Sequence, residues 1–256
     1  VDTFGEPVRV APDAPVYGAI VGQGWHERAG GVHAEVRALE AAEGAAKGAT
    51  AYVTLEPCAH HGRTPPCTDA LIAAQVRRVV LATRDPDPRV QGAGVRALKA
   101  AGIEVVEGVL EDAARKQNEA YFVARTQGRP FVLYKTAMTL DGKIATRAGH
   151  SRWITGAASR EQVHAWRHEL DAVAVGSATV LLDDPRLTAR GKHGRSPLKV
   201  IFDGAARTPT DAKLLGPDEQ GVAARVLVFV HEDAPDERCA ALEAAGAEVV
   251  RIAGAR

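Results

Sequence analysis

The chain has 256 residues with 32 basic and 32 acidic side chains, 46% hydrophobic and 25% charged residues. That balance excludes a nucleic-acid surface or a polybasic membrane patch as its organising feature, and no apolar run approaches the roughly 20 residues that cross a bilayer. The three cysteines (Cys58, Cys67 and Cys239) are too few, and odd in number, for a disulfide-stapled secreted protein. With no basic segment followed by an apolar one at the N-terminus, a reducing cytoplasmic location is expected.

In chain order, the pattern alternates between strand and helix. Residues 16–21 (VYGAIV) read as a strand, and 33–47 (HAEVRALEAAEGAAK) as a helix, with Val36 and Leu39 at helical spacing. A short apolar strand follows at 51–55, a helix at 67–75 and a strand at 77–83. A helix at 94–102 is closed by Gly102; then come a strand in IEVVEG and a helix at 111–125. Residues 125–130 (RTQGRP) read as a linker, after which the alternation restarts. FVLYKTAM is a strand, 157–170 a helix, and DAVAVG, LKVIFD and RVLVFV are strands. A helix at 237–245 and the strand AEVVRIA complete the pattern. Such alternation predicts sheets, mixed or parallel, covered by helices, in two α/β domains at 1–127 and 128–256.

The first chemical constellation is His33-Ala34-Glu35 followed by EPCAHHGRTPPC at 56–67. A lone His-x-Glu means little, and two cysteines nine apart are more often small buried hydrophobes than ligands. Together they match what catalytic zinc needs: three protein ligands (His33, Cys58 and Cys67) and an open position for water. Glu35 is left over as a proton carrier, the arrangement of zinc-dependent nucleobase deaminases. Positions i and i+2 do not share a helix face, so His33 must sit at the very start of its helix, which the preceding glycines permit. Cys67 follows two prolines and also opens a helix, whose N-terminal partial charge would favour its thiolate. Gly92 to Ala97 fits G-x-G-x-x-A, but it follows the loop DPDPRVQ rather than a strand. It reads as a loop-to-helix junction, not a dinucleotide turn.

HAEVRAL, TLEPCAHHGRTPPC and DPDPRVQGAG resemble the deaminase half of the bifunctional riboflavin-biosynthesis deaminase–reductase family, in which the longer Cys-x8-Cys replaces Cys-x-x-Cys. The resemblance implies a cytidine-deaminase-like α/β/α domain with zinc on His33, Cys58 and Cys67. Glu35 would be the proton donor and acceptor, and His26, His60 and Arg63 would contact substrate. One departure stands in DAPVYG at 13–18, where Ala14 replaces the family's substrate-contacting Asn.

In the second half, spacing alone gives only an α/β domain with ligand loops: a turn at Asp141-Gly142 and a strand, Gly-Ser turn and helix start at 175–185. KTAMTLDGKIA, SRWITG and VGSATVLLDDPRLTAR are similar to the reductase half of the same family, which implies a dihydrofolate-reductase-like fold that uses NADPH. On that resemblance Ala137, Trp153, Thr179 and Asp183 would line the NADPH site. Lys135, Ser151, Arg167, Leu187 and Arg190 would face a phosphorylated aminopyrimidine.

The family continues past AGAEVVRIAG with a further helix, a strand and a Glu-Gly-Gly segment. A partner subunit, in a homo-oligomer, or further residues are therefore expected to cover the exposed sheet edge. Two rivals remain at this level. One is a single-activity deaminase of another aminopyrimidine with a degenerate second domain, and the other a non-catalytic zinc-stabilised binding module.

Overall fold

The computed structural model describes residues 19–28, 30–190 and 196–254. It divides into two compact units, Val1–Tyr134 and Lys135–Arg256. DAPVYG and the first three residues of the expected strand at 16–21 lie outside the described residues.

The first unit is built on a parallel sheet of β1 (Thr50–Leu55), β2 (Arg78–Thr83) and β3 (Glu104–Glu107), in that spatial order. Thr50 stands beside Arg78, and Arg78 beside Glu104. Parallel neighbours need crossovers, and α2 (Cys67–Ala73) and α3 (Ala93–Ala100) supply them. The central strand β2 is buried from Val79 through Thr83, as a strand covered on both faces must be. Leu71, Val76, Val79, Leu98 and Ile103 form the centre of this unit's core. α1 (Ala34–Ala41) packs beside α2.

Three expectations change here. The helix at 33–47 stops at Ala41, because Glu43 (φ 46°) and Gly44 (φ 88°) turn left-handed. The helix at 111–125 is two helices, α4 (Glu111–Gln117) and α5 (Glu119–Gln127). Asn118 breaks it, with its side-chain amide donating to the Ala114 carbonyl at 3.0 Å. Finally, residues 19–21 form no strand. Their continuation crosses α1 so closely that a Cβ on Gly22 would stand 2.2 Å from the Ala38 carbonyl oxygen. One on Gly24 would stand 2.6 Å from that of Ala34. The glycines serve backbone-to-helix contact rather than a ladder.

The second unit carries a four-stranded parallel sheet: β4 (Ala172–Gly176), β5 (Leu198–Phe202), β6 (Val226–His231) and β7 (Glu248–Ile252), in sequential order. α6 (Ala157–Glu169) precedes β4, α7 (Ser177–Asp183) follows it, and α8 (Asp236–Ala244) joins β6 to β7. Ile201, Leu214, Val228, Val230 and Leu242 are fully buried at the core, and Cys239 packs there at 5% exposure. Lys199, 1% exposed, crosses this interior to donate to the Leu214 carbonyl at 2.6 Å. FVLYKTAM forms no strand. A run of β-formers becomes a strand only beside a ladder partner. Among the described residues it has none, and Val132 and Tyr134 are 71% and 87% exposed. The turn at Asp141-Gly142 forms, with Gly142 (φ 76°) donating its N–H to the Thr139 carbonyl.

Candidate metal centre

His33 is the N-cap of α1, in extended conformation (φ −72°, ψ 158°), so its side chain is free of the helix repeat that would separate it from Glu35. Cys58 follows β1 through Glu56-Pro57, and Cys67 is the first residue of α2 after Pro66. These three elements converge. The metal-binding atoms of His33, Cys58 and Cys67 all lie within 4.8 Å of one another. His33 Nδ1 stands 3.1 Å from Cys67 Sγ and 3.6 Å from Cys58 Sγ. Tetrahedral zinc with Zn–S near 2.3 Å and Zn–N near 2.0 Å would separate N from S by about 3.5 Å. The donor set therefore fits zinc in kind and in spacing. The cluster is held from behind, since the Cys67 N–H donates to Cys58 Sγ at 3.3 Å. The Thr68 N–H and Oγ1–H donate to the Cys58 carbonyl at 3.2 and 3.3 Å.

Without metal the two thiols share their protons unevenly. Cys58 is drawn down, to about 5, chiefly by the hydrogen bond from the Cys67 side chain and also by the Cys67 N–H. Cys67 is pushed up because it is the donor in that pair and because it is buried. Burial raises the Glu35 carboxyl, against hydrogen bonds from its own backbone and from the Cys67 side chain. Glu35 lies next to the cluster without being a member of it.

The expected substrate residues of this unit, His26, His60 and Arg63, are all exposed. The His26 ring meets that of His33 edge-on at 5.3 Å between centroids, and its Nδ1 is 3.1 Å from the Val32 carbonyl. Arg63 lies against Gly30, where an added Cβ would stand 3.2 Å from its guanidinium. His60 is exposed in the same loop, which the Gly62 N–H to Thr64 carbonyl bond turns.

In the second unit, Arg167 donates to the Thr188 carbonyl at 3.3 Å, beside buried Leu187. Burial, and then Arg190 nearby, lower the Arg167 guanidinium. Arg190 pairs with Glu219 at 3.2 Å. Arg160 lies over the Trp153 ring at 4.4 Å, and Arg152 donates to the Asp183 carbonyl at 3.0 Å. Thr179 is exposed on α7. Among the described residues, no hydrogen bond or ion pair joins Lys135, Ala137 or Ser151 to this group.

Sequence reasoning missed Glu56, Thr68 and His164. Glu56 is 3% exposed and filled by backbone amides, and Thr68 anchors Cys58. His164 sits one helical turn before Arg167 and shares its partner, with Nδ1 at 3.3 Å from the Thr188 carbonyl. Only the i, i+3 spacing of His164 and Arg167 was legible beforehand.

Comparison with known proteins identifies both halves. Residues 15–83 match the cytidine and deoxycytidylate deaminase zinc-binding region, and residues 130–255 match the RibD C-terminal domain. The riboflavin biosynthesis protein RibD of Aquifex aeolicus is 48% identical over 238 residues, 93% of this chain and 65% of that protein. That of Escherichia coli is 44% identical over 216 residues, 79% of this chain and 59% of that protein. Among solved structures, Acinetobacter baumannii RibD aligns with a TM-score of 0.76 at 45% identity, over 91% of this chain and 64% of that one. A Thermotoga maritima diaminohydroxyphosphoribosylaminopyrimidine deaminase/5-amino-6-(5-phosphoribosylamino)uracil reductase aligns with a TM-score of 0.75 at 40% identity, over 91% of this chain and 70% of that one. The chain spans just under two thirds of the Aquifex relative's length. No helix among the described residues is long and apolar enough to cross a membrane. With a cytidine-deaminase-like half carrying a His/Cys/Cys cluster and a RibD C-terminal half on a parallel sheet, this chain belongs to the RibD family of riboflavin-biosynthesis proteins.

Proposed function

We propose that the first domain, 1–127, hydrolytically deaminates 2,5-diamino-6-(5-phosphoribosylamino)pyrimidin-4(3H)-one, and that the second, 128–256, reduces the product's ribosyl group to ribityl with NADPH. The observation that carries this reading is the convergence of His33, Cys58 and Cys67 with Glu35 beside them but outside the donor set.

His33, Cys58 and Cys67 would hold zinc. When bound, zinc supplies the Lewis acidity that makes water an effective nucleophile at neutral pH. The remaining steps belong to the chain. Glu35 takes a proton from the attacking water and delivers it to the pyrimidine ring nitrogen. It then carries the second water proton to the exocyclic amine, which leaves as ammonia while the ring carbon keeps the oxygen. His26, His60 and Arg63, all exposed, would contact the substrate, being suited to a polar molecule bearing a phosphate.

In the second domain, the fork of Arg167 and the charge of Arg190 would hold the substrate phosphate, with Lys135, Ser151 and Leu187 completing that wall. Trp153, Ala137, Thr179 and Asp183 would line the cofactor. NADPH, when bound, supplies the hydride delivered to C1′ of the opened ribose; the protein orients the two partners. A cytoplasmic setting is in keeping with reduced cysteines and this cofactor.

Incubation with the diaminopyrimidine ribosyl phosphate tests both assignments. Ammonia and the uracil product are expected without NADPH, and the ribityl product only with it. Ammonia release without any NADPH oxidation would reduce the second domain to a remnant. Zinc binding with neither reaction would favour a zinc-stabilised binding module.

A further inference from the structure

Two residues before Cys58, the Glu56 side chain points inward at 3% exposure. Its Oε2 accepts the backbone N–H of Asp85 at 3.2 Å and of Gly92 at 2.9 Å, and its Oε1 accepts that of Val95 at 3.1 Å. All three donors belong to the stretch that follows β2 and opens α3. The same stretch closes on Pro57 from the other side. A Cβ on Gly94 would stand 2.0 Å from the Pro57 carbonyl oxygen and 3.2 Å from Glu56 Cγ. The G-x-G that superficially fits a dinucleotide turn therefore receives the chain's own Glu56-Pro57.

A buried carboxyl is costly unless its oxygens are filled, and three buried amides are costly unless they find an acceptor. Here each satisfies the other, and the residue fixed by the exchange leads directly to Cys58. Thr68 and Cys67 hold Cys58 on its far side. Glu56 is the hold on its near side.

We propose that Glu56 is a positioning residue of the metal centre. By filling the amides of Asp85, Gly92 and Val95 it fixes Pro57, and so sets Cys58 Sγ at the separation from His33 and Cys67 that one zinc ion needs. The proposal rests on the zinc reading above and adds a link to it: metal occupancy and the order of the α3 start stabilise one another.

Glu56→Gln keeps size and shape, but with three donors on two oxygens its NH2 group must face at least one backbone N–H. Zinc affinity, measured by competition with a chromogenic chelator, is expected to fall roughly 10- to 100-fold. Val79→Ala, a cavity in the same unit's core, serves as the stability control and is expected to bind zinc within about 3-fold of the unaltered chain. Hydrogen exchange on the unaltered chain needs no variant. Zinc loading is expected to slow exchange of the Gly92 and Val95 amides by at least about 5-fold, with β6 of the second unit unchanged. Unaltered affinity in Glu56→Gln, an equal loss in Val79→Ala, or no zinc effect on the Gly92 and Val95 amides would each overturn the proposal while leaving the zinc reading intact. An unaltered chain that takes up no zinc would sink the zinc reading, and this proposal with it.

Discussion

In the first unit three metal-binding atoms lie within 4.8 Å of one another, backed by hydrogen bonds from Cys67 and Thr68. In the second unit the residues assigned to substrate and cofactor are spread over α6, α7 and the loops around them. Among the described residues, Arg167, Leu187 and Arg190 draw together, around Thr188. On the functions proposed above, the contrast follows from ligand size. One ion requires donors at fixed bond lengths, so its ligands must lie within a few ångströms of one another. A dinucleotide and a sugar phosphate are long, and their contacts come from groups spread along a cleft that need not touch one another.

Cys67→Ser should reduce metal content, by elemental analysis, from about one zinc per chain to background, because serine is a poor zinc donor. Ammonia release should disappear with the zinc, while NADPH binding, followed by fluorescence, should stay. A coupled loss of both would show that the two sites are not separately built. Next in size, Arg167→Ala should raise the KM of the reductase step about 10- to 100-fold, the range for losing a charge-assisted contact of roughly 1.5–3 kcal/mol. Zinc content should not change. An unchanged KM would remove Arg167 from the substrate wall.

Gly24→Ala tests the segment that brings His26 to the site. Its Cβ would meet the Ala34 carbonyl oxygen and the Ala38 nitrogen, each at 2.6 Å, so the segment must lift from α1. A stability loss of about 1–3 kcal/mol is expected, with zinc retained because His33 caps α1 rather than belonging to the lifted segment. Denaturant unfolding and zinc analysis on the same sample decide it.

The smallest effect is electrostatic. The Arg84 guanidinium, at 2.7 Å, and the Lys99 ammonium hold the Glu107 carboxyl below its ordinary range. A carboxyl lowered in the folded chain contributes its full stability above its unfolded value, roughly pH 4 to 5, and loses it as pH falls through the lower folded value. Partly exposed pairs are screened, so Glu107→Gln should remove only a few tenths of a kcal/mol of acid sensitivity. Melting curves between pH 6 and about 3, at low and high salt, would show it.

The legibility of the sequence followed the same division. Strands such as β2 and β6 and the helix α3, closed by Gly102, were readable because their signals are local. The metal ligands were readable because His-x-Glu and the spaced cysteines recur as a pattern of residue types. Contacts between distant segments were not. Nothing in GQGWH announces that Gly22 and Gly24 lie on α1, and nothing in GAGVRA announces that it receives Glu56. FVLYKTAM misled because strand-forming composition says nothing about whether a ladder partner is at hand. In the second unit the residue types alone, arginines and a tryptophan, have many ordinary uses, and only their resemblance to a family singled them out.

In the proposed reaction Glu35 moves protons at a site whose metal would be held by His33, Cys58 and Cys67. The direct measurement is ammonia release from the diaminopyrimidine ribosyl phosphate by the unaltered chain and by Glu35→Gln, each carrying a measured equivalent of zinc. The variant is expected to keep its zinc and lose roughly 10²- to 10⁴-fold in rate. A zinc-loaded Glu35→Gln that releases ammonia at the unaltered rate would contradict it.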